Sequence, residues 1–493
     1  MGKLNSYKNR LITVSAAFVL IGCALTDSSL PVTGDFAAQL CLVFYSDLDK
    51  VVAEQGVTPS RPERIADFPY LRMTRFLASF RQQNLNGAAL KRWLAHLATA
   101  DQQARAIELA SLNSAAKSKL NADYGSDLMA VVEDCAQKLV ANDLADPARL
   151  TLLRKQAVTT SEYRLLNQVL GFYPLTRIPV RLGIHQYHEK TLAVFAQPLE
   201  ALPVYGQLRR FHIPHLDAIN PPGKVARDAL GVPVPTVSQL QALFAIHAPV
   251  WEVDVVDNYD LPGRPVWHID GKPGVDDSEA FIYRYPSYTR WQGQSLLQLN
   301  YLIWFAERPQ ESAFDIFSGR LDGLLWRVTL STDGTVLVYD SVHACGCYHY
   351  FFPSAALVLR PKAQQLPEPP LLPQSAPELA DGQSLVIRVS SGSHYLQRLY
   401  VDTASGQSLR WREYQELYAT PVAGGGHRSL FRADGLVDGS ERLERWLLWP
   451  MGVPSAGAMR ERGRQATAFL GRRHFDDAKL LDNLFEPVSE LVH

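Results

Sequence analysis

The sequence predicts an α+β protein in which a helical N-terminal domain is followed by a β-rich, mainly antiparallel domain. Two observations carry this. Between about residue 35 and residue 170, apolar residues recur at three- and four-residue steps, as in LKRWLAHLATADQQARAIELASL, where Leu90, Trp93, Leu94 and Leu97 share one helical face. Beyond about residue 250 the pattern changes to aromatic and β-branched runs broken by turn residues. FIYRYPSYTRW alternates, SLLQLNYLIWF reads as a buried strand, and LLWRVTLSTDGTVLVYDSV is a hairpin signal with Asp333 and Gly334 at its bend.

Residues 171–250 are mixed and proline-bounded and join the helical domain, 35–170, to the β-rich domain, 251–360. Residues 361–382, PKAQQLPEPPLLPQSAPELADG, carry Pro361, Pro367, Pro369, Pro370, Pro373 and Pro377, which fit neither a central strand nor a helix interior. They read as an extended linker or a long surface loop. Residues 383–493 hold further β hairpins, one of them expected around YVDTASGQSLRW, and a closing helical pattern, AMRERGRQATAFLGRRHFDDAKLLDNLF. Arg460 and Arg464 fall one turn apart on that helix; they can grip an anion or pair with Glu461, Asp476 and Asp477 nearby.

With 493 residues, 47% of them hydrophobic and 20% charged, the chain has material for two or more cores. A formal net charge of -1 gives it no basic footprint, and nucleic acid is excluded as a partner on that ground.

At the N-terminus, Lys3, Lys8 and Arg10 precede the apolar run LITVSAAFVLI, which is too short to span a bilayer comfortably and ends at Gly22 and Cys23. The stretch Leu20-Ile21-Gly22-Cys23 resembles the lipobox of bacterial lipoprotein signal peptides, a resemblance confined to the first two dozen residues. It implies cleavage of residues 1–22, acylation of Cys23 as the mature first residue, and a tether over 23–34. Several acyl chains anchor where one would not. Ala24, in place of Asp, implies the outer membrane, with the folded body facing the periplasm and an envelope protein or glycan as its partner.

An oxidising compartment favours cysteine pairing, and two pairs suggest themselves, Cys41 with Cys135 and Cys345 with Cys347. The second pair lies in VHACGCYHY, 342–350, where His343, Cys345, Cys347 and His349 alternate. In a continuing strand all four face one way, but at ~3.3 Å per residue the two histidines stand ~20 Å apart. A single metal therefore requires the chain to fold back, and Gly346 is the residue that permits it. Such a site would suit zinc or copper, completed by Asp340 or a remote histidine. The alternatives are a strained Cys345–Cys347 redox disulfide and a structural turn.

Weaker signals come from His185 with His188, His212 with His215, and the acidic, aromatic stretch holding Asp254, Asp257, Asp260, Asp270, Asp276 and Asp277 among Trp251, Tyr259, Trp267, Tyr283 and Tyr285. Facing carboxylates there would suit glycan cleavage. Asp340, Ser341 and His343 lack the elbow of a hydrolase triad, and AGGGHRS at 423–429 lacks the order of a phosphate loop. Trp304, Arg308, Asp315, Arg320, Asp322, Trp326, Arg327, Asp340 and His343 cluster on adjacent predicted strands, where Arg327, Asp340 and His343 would suit an anionic or carbonyl-bearing substrate. The leading expectation is a periplasm-facing binding or envelope-assembly module with a structural Cys/His cluster. A metal-dependent or redox envelope enzyme is the alternative, and a glycan-binding or glycan-cleaving protein the second.

Overall fold

The computed structural model describes residues 35–214 and 223–488. The N-terminal domain is helical, as its periodicity requires: α1 (Phe36–Gln55), α2 (Gly87–Ser111), α3 (Ser114–Tyr124), α4 (Leu128–Ala145) and α5 (Pro147–Gln156). They enclose a hairpin that the helical reading did not include, β1 (Glu63–Ile65) and β2 (Phe68–Met73). Trp93, Leu94 and Leu97 of α2 are buried in one core with Tyr45, Leu48, Tyr70 and Val132. Further along α2 the same stripe turns charged without leaving the interior. Buried Asp101, Arg105 and Glu108 interlock with Arg72 of β2, the Arg72–Asp101 and Arg105–Glu108 pairs lying at 3.0 and 2.9 Å.

Cys41 of α1 and Cys135 of α4 form the expected disulfide. Closing a loop over a sequence separation of 94 contributes about 4–5 kcal/mol in the chain-entropy model. Cys345 and Cys347 differ from expectation, since both are free thiols.

The second domain is β-rich. A six-stranded sheet has the order β9-β8-β7-β6-β5-β13, made from β5 (Phe281–Trp291), β6 (Gln294–Arg308), β7 (Gly319–Leu330), β8 (Val336–His343), β9 (Tyr350–Pro353) and β13 (Arg410–Glu413). A five-stranded sheet runs β11-β10-β4-β3-β12, from β3 (Gln207–His212), β4 (Val250–Val255), β10 (Ser384–Val389), β11 (Leu396–Asp402) and β12 (Gln407–Ser408). The two share a core of Trp251, Val253, Ile387 and Val389 against Leu299, Tyr301, Ile303 and Trp326. The large sheet is apolar on both faces, because Leu302, Trp304 and Leu325 enter a second core with Tyr414, Phe431 and Met459. That double burial is why SLLQLNYLIWF reads as a buried strand, apolar but for Ser295, Gln298 and Asn300.

The β7–β8 hairpin bends where expected, at a turn closed by Ser331 and Thr335 with Gly334 at φ 91°. The hairpin expected at YVDTASGQSLRW does not form. β12 and β13 pair in parallel with β3 and β5, whose open edges take the backbone hydrogen bonds that a return strand would have made. The closing helix is also shorter than its pattern, with only Leu480–Leu484 helical in the last stretch. Upstream of it the backbone is held by buried polar side chains; Arg460 donates to the carbonyls of Cys345, Pro454 and Ser455. Residues 361–382 are a strap against the body, with Leu371 bridging to Tyr350 and buried Glu368 accepting the N–H groups of Phe469 and Leu470.

Candidate functional site

Side-chain alternation splits the polar residues of the large sheet between its two faces. On the face toward the helical domain, register places Tyr285, Asn300, Arg327 and Asp340 in one row across β5 to β8. Ser287, Gln298 and Thr329 form the next row. Both rows are tied internally: Asn300 donates to the Tyr285 carbonyl (3.1 Å), Ser287 donates to Gln298 (3.0 Å), and Gln298 donates to Thr329 (3.0 Å).

These rows floor a cleft of about 330 Å³ whose other wall is Met73, Phe76 and Leu77 of the helical domain, with His96 and Thr99 from α2. Four arginines line it, Arg61, Arg75, Arg327 and Arg462, against one carboxylate, Asp476. Arg61 pairs with Glu162, and Arg75 with Asp476. Among the described residues Arg462 has no acidic partner; its guanidinium rests 5.0 Å from the Tyr285 ring and 4.8 Å from that of Tyr414.

Arg327 is fixed from behind. Nε and Nη2 donate to the two oxygens of Asp340 (2.9 and 2.5 Å), Nη1 donates to the Phe475 carbonyl (2.7 Å), and the guanidinium sits 3.5 Å from the Phe475 ring centre. His349 Nε2 reaches Asp340 Oδ2 at 2.9 Å. Burial would push the Asp340 carboxyl up, but Arg327 and His349 outweigh it and hold it below the usual range. Burial pushes His349 down to about 4, so near neutral pH the ring is uncharged, with Nε2–H donating to Asp340.

The opposite face carries a different centre. Asp322 of β7 accepts from His343 Nδ1 (3.2 Å) and His394 Nδ1 (2.9 Å); His394 Nε2 lies 3.3 Å from Asp260 and its ring stacks flat on Phe305. Burial alone would raise Asp322, yet its partners hold it well below the ordinary range. Burial lowers His343, whereas the two aspartates raise His394 against the same burial. Beside them a cavity of about 10 Å³, the size of one water, is bordered by Arg308, Asp322, His343, Cys345, Arg442 and Glu444. Burial pushes the Glu444 carboxyl up to about 7 against the nearby Arg442, Arg308 and Arg460, and among the described residues it forms no ion pair.

The Cys/His tetrad does not assemble into a metal site. The strand ends at His343, and the chain folds back through Gly346 (φ 97°), with the His343 N–H donating to the Cys347 carbonyl (3.0 Å). That reversal leaves His343 on the Asp322 face and carries His349 to the Asp340 face. Each histidine is therefore claimed by its own aspartate, and among the described residues no group of three or more His, Cys, Asp or Glu side chains converges as zinc or copper would need. The two thiols do stay together. The Cys345 sulfur accepts the Cys347 N–H (3.4 Å), and the contact with Cys345, then burial, pushes the Cys347 thiol well above its usual value.

Of the other candidates, Asp260 joins the buried centre, but Asp254 caps the N–H groups of Tyr205 and Gly206 and Asp276 pairs with Arg264, so the acidic stretch does not form a carboxylate pair. His185 is exposed beside Glu189, and His212 Nδ1 lies 3.1 Å from the Ile213 carbonyl. Arg464 pairs with Glu162. Cys23 and His215 lie outside the described residues. Sequence reasoning missed His394, Glu444 and Arg442, each brought in from a distant loop. No protein-family model matches the chain, and no curated protein or solved structure is significantly similar to it.

Proposed function

We propose that this is a lipid-anchored envelope protein, held at the outer membrane through Cys23, whose folded body binds a small amphipathic anion in the cleft between the helical domain and the large sheet. The carrying observation is Arg462, a cation without an acidic partner among the described residues, facing a polar floor that Arg327 and Asn300 complete. A carboxylate or phosphate head would take the arginine side, and an apolar body would lie on Met73, Phe76 and Leu77. Asp340 and His349 act as positioning residues that hold Arg327 in place.

Calorimetric titration with dodecyl phosphate, with dodecanol as the uncharged control, tests this. Saturable binding of the phosphate is expected to weaken about tenfold in Arg462→Gln, the size of one charge-assisted hydrogen bond. Equal binding of dodecanol, or no change in Arg462→Gln, overturns it.

A second reading, thiol–disulfide exchange, is favoured by the adjacent Cys345 and Cys347 thiols beside the uncommitted Nε2 of His343. Cys345 is buried beside the one-water cavity and, once uncovered, would attack one sulfur of a disulfide R–S–S–R, its proton passing through His343 Nε2 to the leaving thiolate. Cys347 would then attack the mixed disulfide and release the second thiol. Two protein thiols are oxidised by two electrons and one disulfide is reduced to two thiols. With oxidised glutathione, Cys347→Ala is expected to trap a glutathione adduct on Cys345, while the wild-type peptide between Arg327 and Arg360 loses two hydrogens. Free thiols at every glutathione ratio would remove this reading.

A further inference from the structure

A run of exposed apolar side chains lies outside the lining of the cleft. Leu165, Leu166, Leu170, Phe172, Leu175 and Leu182 are each between 61 and 70% exposed. They belong to the helix Leu165–Leu170, to the first half of α6 (Tyr173–Ala196) and, with Phe172, to the junction between them. Along all of α6 only Thr191 and Phe195 are buried, so its second half, with Tyr187 bonded to Tyr350, holds the helix to the body. In the first half Leu175, Ile178 and Leu182 stay exposed.

The patch continues into a second segment. Gln168 donates to the Met451 carbonyl, and the Arg164 N–H donates to the Gly452 carbonyl (2.8 Å). This sets the helix Arg445–Leu448 alongside, with Trp446 64% and Leu447 60% exposed. Scattered exposed apolar residues are ordinary; a contiguous set from two segments marks an interaction surface.

Charge decides between occupants. From residue 163 to residue 188 the chain contains no aspartate or glutamate, while Arg164, Arg177 and Arg181 are exposed and form no ion pair among the described residues. A second copy of this chain would set those arginines against each other, since a two-fold interface is self-complementary and would bring like charges together. Anionic phospholipid headgroups instead complement them, and Trp446 is an aromatic type that favours the headgroup boundary. No helix among the described residues is long and apolar enough to cross a membrane, so contact through this face would be parallel to the surface.

We infer that the face built from Leu165–Leu182 and Trp446–Leu447 lies on an anionic phospholipid surface, burying its leucines at the headgroup boundary with Arg164, Arg177 and Arg181 at the phosphates. This rests on the lipid-anchor reading, in which residues 23–34 tether the body and, at ~3.3–3.6 Å per residue, cannot let it stand more than ~40 Å from the anchor. Anchor and face together make the two signals that stable attachment takes.

The acylated full chain is reconstituted on vesicles of phosphatidylethanolamine and phosphatidylglycerol containing a photoactivatable phospholipid, and crosslinked residues are mapped by mass spectrometry. Crosslinks are expected within 165–182 and at 446–447 as well as near Cys23. In the triple variant Leu166→Glu, Leu170→Glu, Leu175→Glu, those at the face fall at least tenfold while those near Cys23 persist. The substituted side chains are exposed, so folding is retained, as circular dichroism checks. Crosslinks confined to the N-terminal residues overturn the proposal and leave the anchor standing. An absence of crosslinks anywhere overturns both. A dimer by sedimentation that the triple variant abolishes, with no crosslinks at the face, assigns it to a second copy instead.

Discussion

Arg327→Met is expected to lower folding stability by about 3–5 kcal/mol, the range for removing one partner of a buried ion pair. Asp340 is 2% exposed and receives three of its contacts from Arg327 and His349. Taking away the guanidinium leaves a carboxylate that water cannot reach, and the loss is the cost of that stranded charge more than the worth of the pair. The double variant Arg327→Met, Asp340→Leu should therefore recover most of the stability, since it removes both charges together. Urea unfolding of the two variants and of Asp340→Leu completes the cycle.

The same variant has a pH signature. In the intact protein burial keeps His349 near 4. Its folded value lies below the unfolded one, so the contribution of neutral His349 is present above about pH 6.5 and is lost as pH falls toward 4. Without Arg327, Asp340 has His349 as its remaining partner and draws its pKa upward. The deficit of Arg327→Met relative to wild type should then narrow between pH 7 and pH 5. A deficit that is small and flat with pH would show that Arg327 is not what balances Asp340, and the cleft floor would lose its fixed cation.

Legibility in the sequence followed range. The helices of the N-terminal domain, the strands β5 to β8 and the Asp333-Gly334 bend were readable because each is encoded within one or two turns or one alternation. The hairpin β1–β2 was not, since three- and six-residue strands leave almost no period to detect. Arg327 and Asp340 could be picked out as polar residues on strands that are otherwise apolar, and the structure pairs them. The fold-back at Gly346 was also foreseeable, but not its consequence. Whether His343 and His349 share a face depends on where β8 stops; it stops at His343, and Asp322 and Asp340 then each take one of the two. His394, Glu444 and Arg442 sit in irregular segments without local pattern. Only the three-dimensional path brings them to β7, and no spacing rule in a single sequence marks such a meeting.

Glu444 carries the second large expected effect. Its carboxyl, 4% exposed, borders the small cavity with Arg308, Arg442 and Asp322, and burial raises it to about 7 from 4.5 despite the nearby guanidinium groups. An acid whose folded pKa lies above its unfolded value binds the proton more tightly when folded. Its contribution is therefore complete below about pH 4.5 and is lost as pH rises through 7. At about 1.4 kcal/mol per pKa unit, ionisation costs the folded protein ~3 kcal/mol by pH 8. Glu444→Gln keeps the shape of the neutral acid and cannot ionise. It should match wild type at pH 4.5 and be more stable by ~3 kcal/mol at pH 8, measured by urea unfolding at both values. A variant less stable at both would mean that the carboxylate is ionised and paired with Arg308 or Arg442. A gain that grows between pH 4.5 and pH 7 and levels off above it would mean that a charge is tolerated at this position at a cost, which is the usual condition of a buried group kept for function rather than for stability.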